Sequence, residues 1–338
     1  MNVLAILVLA LCASCASGAR VAEGASEARG ETGPVESGIG AGAAEKRENI
    51  ERLIAHNSER IRKRLHQDGG KYTVLGEIDG LTLEYDVQNA VQTEGGALSV
   101  PYAAWSEADG ALRGSLLWTP PESDSGVVLS FDDDYFDVWE RYFPLLESYQ
   151  ARATFFMQGG VNDFCTRAQA AGHEIAYHTK NHLDLRRVSE EVFVEETLEQ
   201  RAQYTKAGIE LGAFAFPFGF NEEWMHKKLF PSYARLRGFG VSLHLYHKNN
   251  NADALFVRSK SIDNIVYKDD DAFYRDIAFI LRAVKFLSDD AIVFLTTHTI
   301  SSTADWGIKP ERLEFILKSA AELKLHFWRF KDLSGGAD

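Results

Sequence analysis

Several short segments of the chain carry side chains whose types and spacing suit hydrolytic chemistry. An acidic run, Asp-Asp-Asp, fills positions 132–134, His178 and His182 stand four residues apart, and His298 lies far downstream. One aspartate and two histidines supply three ligands for a divalent metal, and three protein ligands leave a coordination position open, as in catalytic zinc sites. A second carboxylate would accept a proton from water, and a further histidine would protonate a leaving group. This combination predicts metal-assisted hydrolysis of an amide or an ester.

Each segment taken alone also has a simpler interpretation. The acidic run suits a turn in which Asp134 caps the following helix. HTKNH, from His178 to His182, suits a solvated loop, His298 suits a hydrogen-bonded structural histidine, and Pro-Phe-Gly at 217–219 suits a turn. Their common position favours the chemical interpretation, because each segment comes after a candidate apolar strand.

Those strands belong to the second half of the chain, which alternates strand and helix after Pro120-Pro121. Helical periods fill 136–149, 190–207 and 310–323. The alternation predicts an α/β fold, a parallel barrel related to the (β/α) barrel, in which the residues after the carboxyl ends of the strands converge on one face. The candidate strands are GVVLSF, ATFFM, HEIAY, GAFAF, FGVSL, LFVRS, AIVFL and HFWRF.

The segment at 45–120 has a different pattern. Apolar residues from Glu45 to His66 recur with a helical period, and Gly69-Gly70 would end that helix. From position 71 to 120, short alternating runs predict a small antiparallel β extension. Its aromatic residues Tyr102, Trp105 and Trp118 would either pack in a core or interface, which we favour, or line a sugar-binding surface.

The N-terminus is interpreted as an export signal over residues 1–19. The apolar stretch from Val3 to Leu11 is too short to span a bilayer and suits a signal peptide. The small residues before Cys15 resemble a lipoprotein processing site with Cys15 as the lipid-bearing residue; ordinary cleavage near Ser17 or Ala19, with release of a soluble protein, is an equal alternative. Residues 20–44 are rich in Gly, Ala, Ser and Glu and predict a flexible linker.

The bulk composition restricts the partners. The formal net charge of the 338-residue chain is -13 at pH 7, so no basic surface for nucleic acid is expected. Hydrophobic residues make up 45% of the chain, which is enough for a sizeable core. Cys165 stands alone in the globular part and is interpreted as a small buried residue. No protein partner can be inferred.

Several motifs taken in order resemble the polysaccharide deacetylase family, also known as the NodB-homology domain. VVLSFDDD, ATFFM, GHEIAYHTKNH, FAFPFG and IVFLTTH follow one another with the family's order and spacing, and the resemblance continues to about Leu333. It implies a distorted (β/α) barrel over residues 121–335, a divalent metal that is commonly zinc, and removal of acetyl groups from an acetylated glycan. An exported enzyme of the periplasm or cell envelope would suit that activity.

The resemblance assigns a role to each matching residue. Asp132 corresponds to the catalytic base and His298 to the general acid. Metal binding is implied for three residues, Asp133, His178 and His182. The remaining assignments concern the neighbourhood of the substrate: Thr179 steadies the loop beside His178, Pro217, Phe218 and Gly219 line the substrate site, and the backbone N–H of Phe218 stabilises the oxyanion.

Some positions depart from the family pattern. Asp134 replaces a glycine and either caps a helix or alters the charge of the metal site. Ala215 stands where an arginine orients the base, and Arg258 is a conjectured substitute. Asn221, Glu222 and Trp224 follow Gly219 and either shape a groove or form a plain surface loop. These changes motivate an alternative, a catalytically weak or inactive glycan-binding lipoprotein with the same fold.

Overall fold

A computed structural model describes the chain in ten parts, namely residues 48, 52, 62–68, 71–78, 80–93, 96–106, 110–119, 122–240, 243–248 and 256–333. The chain divides into two compact units, Met1–His56 and Asn57–Asp338. In the first unit the described residues Glu48 and Arg52 are helical and form an ion pair. The predicted signal peptide (1–19) with Cys15, and the predicted linker (20–44), lie outside the described residues.

The predicted helix from Glu45 to His66 is wrong at its C-terminal end. Residues 62–66 belong to a strand that pairs antiparallel with the next one, with Asp68 opposite Lys71. The Gly-Gly dipeptide at 69–70 therefore separates two strands in sequence, a spacing typical of a β-hairpin. Ile61 and Leu65 also fit a helical period in the sequence. Leu65 nevertheless lies in a strand, because it pairs with the buried Val74 of the next strand.

An antiparallel sheet forms the β extension predicted from the alternating runs. Neighbouring strands follow the order β1-β2-β3-β5-β4, and β6 pairs with the free edge of β5. The strands are β1 (Arg62–Asp68), β2 (Lys71–Ile78), β3 (Leu81–Tyr85), β4 (Val91–Gln92), β5 (Leu98–Ser106) and β6 (Gly110–Trp118).

The rest of the described chain alternates strands and helices. The strands are β7 (Gly126–Asp133), β8 (Ala153–Met157), β9 (Glu174–Tyr177), β10 (Ala213–Ala215), β11 (Arg235–Phe239), β12 (Leu245–His247), β13 (Phe256–Ser261), β14 (Ala291–Thr297), β15 (Thr299–Ile300), β16 (Gly307–Ile308) and β17 (His326–Phe327). The α-helices are α1 (Phe136–Arg141), α2 (Phe143–Ser148), α3 (Asp163–Ala170), α4 (Glu190–Thr197), α5 (Arg201–Lys206), α6 (Glu223–Leu229), α7 (Asp270–Leu287) and α8 (Pro310–Glu322). No helix in these described ranges is both long and apolar enough to cross a membrane.

Seven parallel strands close into a barrel. They follow the order β7-β8-β9-β10-β11-β13-β14, and β14 pairs back onto β7, which completes the ring. Strands β12 and β17 flank the ring, and β12 runs antiparallel to β14. The α/β barrel predicted from the alternating pattern is confirmed. Cys165 is buried in α3, as expected.

One barrel strand differs from its prediction. FGVSL (239–243) was expected to be a strand, but β11 covers Arg235–Phe239. Two arginines are unusual in a buried strand. Both are buried here because each has a hydrogen-bond acceptor inside the fold. Arg235 donates to the Leu333 carbonyl at 2.7 Å and Arg237 donates to Asp132 at 2.5 Å.

Helix α7 joins the barrel to the β extension. It contacts β7 and β14 on one side and β2 on the other, so apolar residues surround most of its circumference. Phe286 packs edge-to-face against Tyr85 and Trp118, at centroid distances of 5.0 and 5.2 Å, and Phe279 stacks on Tyr72 at 4.4 Å. These contacts support the interface interpretation of Trp118.

Replacing Phe286 with alanine should destabilise the protein. The side chain is 3% exposed, so its loss leaves a cavity between α7 and the sheet, and we expect the free energy of unfolding to fall by about 3 kcal/mol or more. Denaturant unfolding of the full chain measures this. Leu117→Ala, on β6 beside Trp118 but 67% exposed, is the control and should change the value by less than about 0.5 kcal/mol. A loss below about 1 kcal/mol for Phe286→Ala would contradict this account.

Candidate active site

A cavity of about 580 Å³ opens at the carboxyl ends of the barrel strands. Its polar side chains come from several strand ends, and Asp132, His178 and His298 are buried, whereas the aromatic side chains of Phe218, Phe220 and Trp306 are exposed. The structure therefore brings together the residues that sequence placed after separate strands. The lining consists of Asp132, Asp133, Tyr135, His178, His182, Phe218, Phe220, Phe239, Gly240, Ser261, Val266, His298 and Trp306.

Three of these residues form a cluster suited to a cation. The Nε2 atoms of His178 and His182 each lie 3.5 Å from Oδ1 of Asp133, and the three ligand atoms lie within 4.8 Å of one another. Asp133 Oδ1 is buried and accepts no hydrogen bond from the described residues. An unpaired buried carboxylate oxygen facing two imidazole nitrogens is the donor set of a divalent metal site.

The tautomer of His178 is fixed by the fold. Its Nδ1 lies 2.9 Å from the Ala215 carbonyl, which only accepts, so Nδ1 carries the proton and Nε2 presents a lone pair to the cluster. Burial lowers the pKa of His178 to about 3. The imidazole is therefore neutral over the physiological range, which is the form that binds a metal.

The loop between the two histidines has an unusual backbone conformation. Thr179 and His182 have φ angles of 68° and 56°, in the left-handed region that non-glycine residues seldom adopt. The Thr179 hydroxyl accepts a hydrogen bond from the His182 amide at 3.0 Å, and the Asn181 amide donates to the buried Glu196 carboxylate at 2.8 Å. These bonds hold His182 toward the cluster, so Thr179 steadies this loop.

The buried carboxylate of Asp132 is paired with Arg237. The Arg237 Nη2 donates to Asp132 Oδ2 at 2.5 Å, and both side chains are almost completely buried. Burial raises the pKa of Asp132, but the charges of Arg237, His178 and His298 lower it, and the lowering prevails. Asp132 is therefore ionised at neutral pH despite its burial, which is the state required of a general base.

The conjecture that Arg258 supplies this positive charge is wrong. Arg258 is exposed and lies over the Phe256 ring at 5.5 Å, whereas Arg237 contacts the carboxylate. Ala215 on β10 and Arg237 on β11 are partners in the parallel register. The arginine expected at position 215 is thus replaced by one on the adjacent strand at the same level of the barrel.

His298 has its own carboxylate partner, which the sequence motifs did not reveal. Its Nδ1 lies 3.0 Å from Oδ2 of the fully buried Asp263, and its backbone N–H donates to the same residue at 3.2 Å. Thr297 and Ser261 donate hydroxyl bonds to Asp263, at 2.7 and 2.8 Å. Burial lowers the pKa of His298, but the hydrogen bond and charge of Asp263 raise it, and the net pKa is raised. A raised pKa keeps the imidazolium available as an acid.

The Pro217-Phe218-Gly219 segment forms a tight turn at the cavity. Phe218 has a φ of 58°, and Gly219 has a φ of 72° with its Cα so close to Phe239 that an added Cβ would lie 2.9 Å from the Phe239 backbone nitrogen. The amides of Gly219 and Phe220 close the turn, bonding to Phe216 and Pro217 at 2.9 and 3.1 Å. The Phe218 ring packs against His182 at 4.5 Å.

The Asp134 side chain does not cap the following helix. The N-cap of α1 is Tyr135, and no side-chain hydrogen bond caps that helix, whereas the Asp134 carboxylate is exposed. Burial raises the pKa of Asp133, and the charges of Asp132 and then Asp134 add to that rise. Of the two interpretations from sequence, the effect on the charge of the cluster is therefore the one that the structure favours.

Residues just beyond the turn serve the loop itself. The Asn221 amide donates to the Gly219 carbonyl at 2.8 Å, and Trp224 donates to Glu222 at 2.8 Å while packing on Phe193. These contacts favour the interpretation as a surface loop over a groove-shaping role.

Comparisons with known proteins show similarity over part of this chain. Residues 119–229 match the family model described as "Polysaccharide deacetylase". A stretch of 141 residues is 28% identical to the peptidoglycan-N-acetylglucosamine deacetylase of Bacillus cereus and covers 40% of this chain and 64% of that relative, less than two-thirds of its length.

Solved structures are also similar to part of this chain. One is the Xyl-CE4 domain of a multidomain xylanase from the hindgut metagenome of Trinervitermes trinervoides, with a TM-score of 0.45 and 18% identity over 62% of this chain and 89% of that one. Another is the chitin deacetylase of the fungus Colletotrichum lindemuthianum, with a TM-score of 0.46 and 15% identity over 65% of this chain and 92% of that one.

The family match covers the segment that supplies seven residues of the cavity lining, and Asp132, Asp133, His178 and His182 are among them. Residues 119–229 are therefore similar to the polysaccharide deacetylase family.

Proposed function

We propose that this protein is a metal-dependent hydrolase that removes acetyl groups from an N- or O-acetylated glycan. The observation that carries the proposal is the meeting, in one cavity, of a three-ligand cluster, a buried ionised carboxylate and a histidine with a raised pKa. The family match and the Bacillus cereus relative support an acetylated glycan, and they make peptidoglycan the first substrate to test.

Asp133, His178 and His182 are the residues that would hold the metal. Two imidazoles and one carboxylate suit zinc, and other first-row divalent ions accept the same ligands. When bound, the cation supplies Lewis-acid polarisation of the acetyl carbonyl and lowers the pKa of water. The neutral, correctly oriented His178 and the unpaired Oδ1 of Asp133 are the features of this chain that fit such an ion.

Asp132 takes the role of general base. It accepts a proton from the water whose oxygen attacks the acetyl carbon, and Arg237 holds its Oδ2 so that Oδ1 remains for that proton. The Phe218 backbone N–H is the proposed donor to the oxyanion that forms on the carbonyl oxygen. The Pro217-Phe218-Gly219 turn fixes the position of that amide at the cavity.

His298 takes the role of general acid. Its Nδ1 is bonded to Asp263, so Nε2 is the atom that delivers a proton to the sugar nitrogen or oxygen as its bond to the acetyl carbon breaks. The products are acetate and a free amine or hydroxyl on the glycan. The base and the acid are both buried, 0% and 9% exposed, which strengthens their interactions with reacting groups.

The alternative of an inactive glycan-binding protein loses its main motive. It rested on the changes at Asp134 and Ala215. Arg237 supplies the charge that position 215 lacks, and Asp134 is exposed and removes no ligand, base or acid.

Export to the periplasm or cell envelope belongs to the same proposal. Its support is the apolar segment from Val3 to Leu11 and the small residues before Cys15, where a lipid anchor would tether the enzyme near its glycan. Release after ordinary cleavage is equally compatible with activity on a cell-wall glycan.

Acetate release from acetylated glycans tests the central proposal. The zinc-loaded full chain should release acetate from peptidoglycan or another acetylated glycan, and chelation should remove the activity. Asp132→Asn should lower kcat by about 100-fold or more because the base is lost, and His178→Ala should lose bound zinc in elemental analysis. Asp137→Asn, an exposed aspartate on α1, is the control and should retain both activity and metal. Full activity in Asp132→Asn, or after thorough chelation, would refute the mechanism.

Arg237→Met should lower kcat/KM by roughly 100-fold, because burial without the guanidinium raises the pKa of Asp132 and removes the base. The acidic limb of the pH profile should move to higher pH. Arg258→Met is the matched control and should stay within about twofold, as expected of an exposed residue. Circular dichroism checks folding. The double variant Ala215→Arg/Arg237→Ala should regain part of the activity that Arg237→Met loses. Equal losses of activity in Arg237→Met and Arg258→Met would contradict the assignment of Arg237 as the partner of Asp132.

Asp263→Asn should shift the basic limb of the kcat/KM profile to lower pH. Asp263 raises the pKa of His298, so without its charge the imidazolium loses its proton at a lower pH. Thr297→Val removes one hydroxyl donor to Asp263 but leaves the negative charge of Asp263 beside His298, so it should shift the limb less. Profiles recorded with the same metal from pH 5 to 10 provide the comparison, and an unchanged basic limb in Asp263→Asn would exclude His298 as the acid.

A further inference from the structure

Trp306 is the most exposed aromatic side chain of the cavity lining. Its relative exposure is 55%, and its ring centroid lies 5.5 Å from that of His298 at an interplanar angle of 67°. Val266, 51% exposed, lines the same cavity. Single exposed apolar residues are common on protein surfaces, but exposed apolar residues that line a cavity beside a buried polar side chain, here His298, are typical of a recognition site.

The loop that carries Trp306 is held rigidly. The side-chain amide of Asn264 donates to the carbonyls of Ser301 and Ala304 at 3.0 and 2.9 Å, and its backbone N–H donates to the Gly307 carbonyl at 2.7 Å. Asn264 is the direct neighbour of Asp263 in sequence. One short segment therefore fixes both His298 and the loop of Trp306.

Further bonds brace the same loop on both sides of the tryptophan. The Ile265 backbone N–H donates to the Asp305 carbonyl at 2.9 Å, and Lys268 pairs with the Asp305 carboxylate at 2.9 Å. The buried Arg312 donates to the Asn264 side-chain oxygen at 3.2 Å. The indole is thus presented on a fixed backbone, which reduces the conformational entropy that a ligand would have to remove.

The aromatic residues from the Pro217-Phe218-Gly219 turn already have neighbours on their rings. Phe218 packs against His182 at 4.5 Å, and the Arg186 guanidinium lies over the Phe220 ring at 3.6 Å. Trp306 contacts the imidazole of His298 and still exposes more of its surface than either phenylalanine. It is therefore the larger available stacking surface.

We propose that Trp306 is a specificity-determining residue that stacks on the apolar face of the pyranose bearing the acetyl group. This inference rests on the proposed deacetylase function. His298 delivers its proton to the sugar atom that leaves the acetyl carbon, so that sugar must lie beside His298, where Trp306 stands. The C–H bonds on one face of a pyranose form an apolar surface, and an indole is the largest aromatic surface available to it. The occupant is a neutral hexosamine or pentose ring carrying an acetyl group.

A competing role for Trp306 is to shield His298 and set its orientation. The two roles differ in what they require of the substrate. Stacking acts only on substrates that contain a sugar ring, whereas shielding acts on every acetyl substrate and changes the titration of His298.

The experiment uses the zinc-loaded full chain with chitotetraose tetraacetate and acetylated xylotetraose, and with glyceryl triacetate as an acetyl ester without a ring. Trp306→Ala should raise KM for an acetylated tetrasaccharide roughly tenfold, with kcat within about threefold. Its kcat/KM on glyceryl triacetate and its pH profile should stay unchanged. Trp306→Phe should stay within about threefold of wild type because it keeps a ring. Trp224→Ala, an exposed tryptophan outside the cavity, should behave as wild type.

Binding provides a readout that does not need turnover. In the Asp132→Asn background, Trp306→Ala should weaken tetrasaccharide binding roughly tenfold by calorimetry. If wild type releases no acetate but binding still depends on Trp306, the deacetylase proposal fails and the stacking inference stands. Equal losses of activity on tetrasaccharide and glyceryl triacetate, or tetrasaccharide binding that is absent or insensitive to Trp306→Ala, would overturn the inference.

Discussion

The ion pair between Asp132 and Arg237 is the interaction on which the rest of this site depends. Both side chains are 0% exposed, so each charge has lost its water and relies on the other. Removing one partner of such a pair typically costs about 3–5 kcal/mol because the remaining charge is buried and unpaired. The two residues lie on β7 and β11, which are not neighbours in the ring. The pair therefore connects two non-neighbouring strands of the ring, and the charge of Arg237 helps to keep Asp132 ionised.

His298 and His178 are likewise each held by a partner that belongs to another part of the barrel. His298 follows β14 and is held by Asp263, which follows β13, and His178 follows β9 and is held by a carbonyl of β10. In every case the partner comes from a different strand. The surroundings also shift the pKa values. Burial lowers the pKa of His298, but the hydrogen bond and charge of Asp263 raise it more, whereas burial lowers the pKa of His178 to about 3. One barrel thus shifts the pKa values of two histidines in opposite directions.

The sequence predicted the parts of this fold that follow from local pattern. Strand–helix alternation predicted the barrel, and the positions after strand ends predicted which side chains meet. Partners that depend on tertiary contact were missed. Arg237 lies in a strand with too few apolar residues to be recognised, and the signal that could have found it is the missing arginine at Ala215, since neighbouring parallel strands place position 237 beside it.

Asp263 was missed for a related reason. It stands in a polar loop after β13 and has no motif of its own, and only the fold brings it to His298. The hairpin from β1 to β2 was missed because a helical period and a strand period coincide over a few residues, and the choice between them is made by the partner strand. A local pattern cannot predict a pairing whose energy lies in a distant segment.

The positions where local rules fail are concentrated at the cavity. Among the described residues, six that are not glycine have positive φ, and four of them are Asp133, Thr179, His182 and Phe218. The other two directly follow the C-terminal ends of α2 and α8, where such a conformation is ordinary. Backbone strain of this kind typically costs about 1–3 kcal/mol for each residue and persists only where surrounding contacts impose it. Paired charges inside the barrel, a strained backbone around the cluster and an exposed tryptophan on a braced loop each oppose stability locally. Their coincidence at one cavity is best explained by the chemistry that we propose for it.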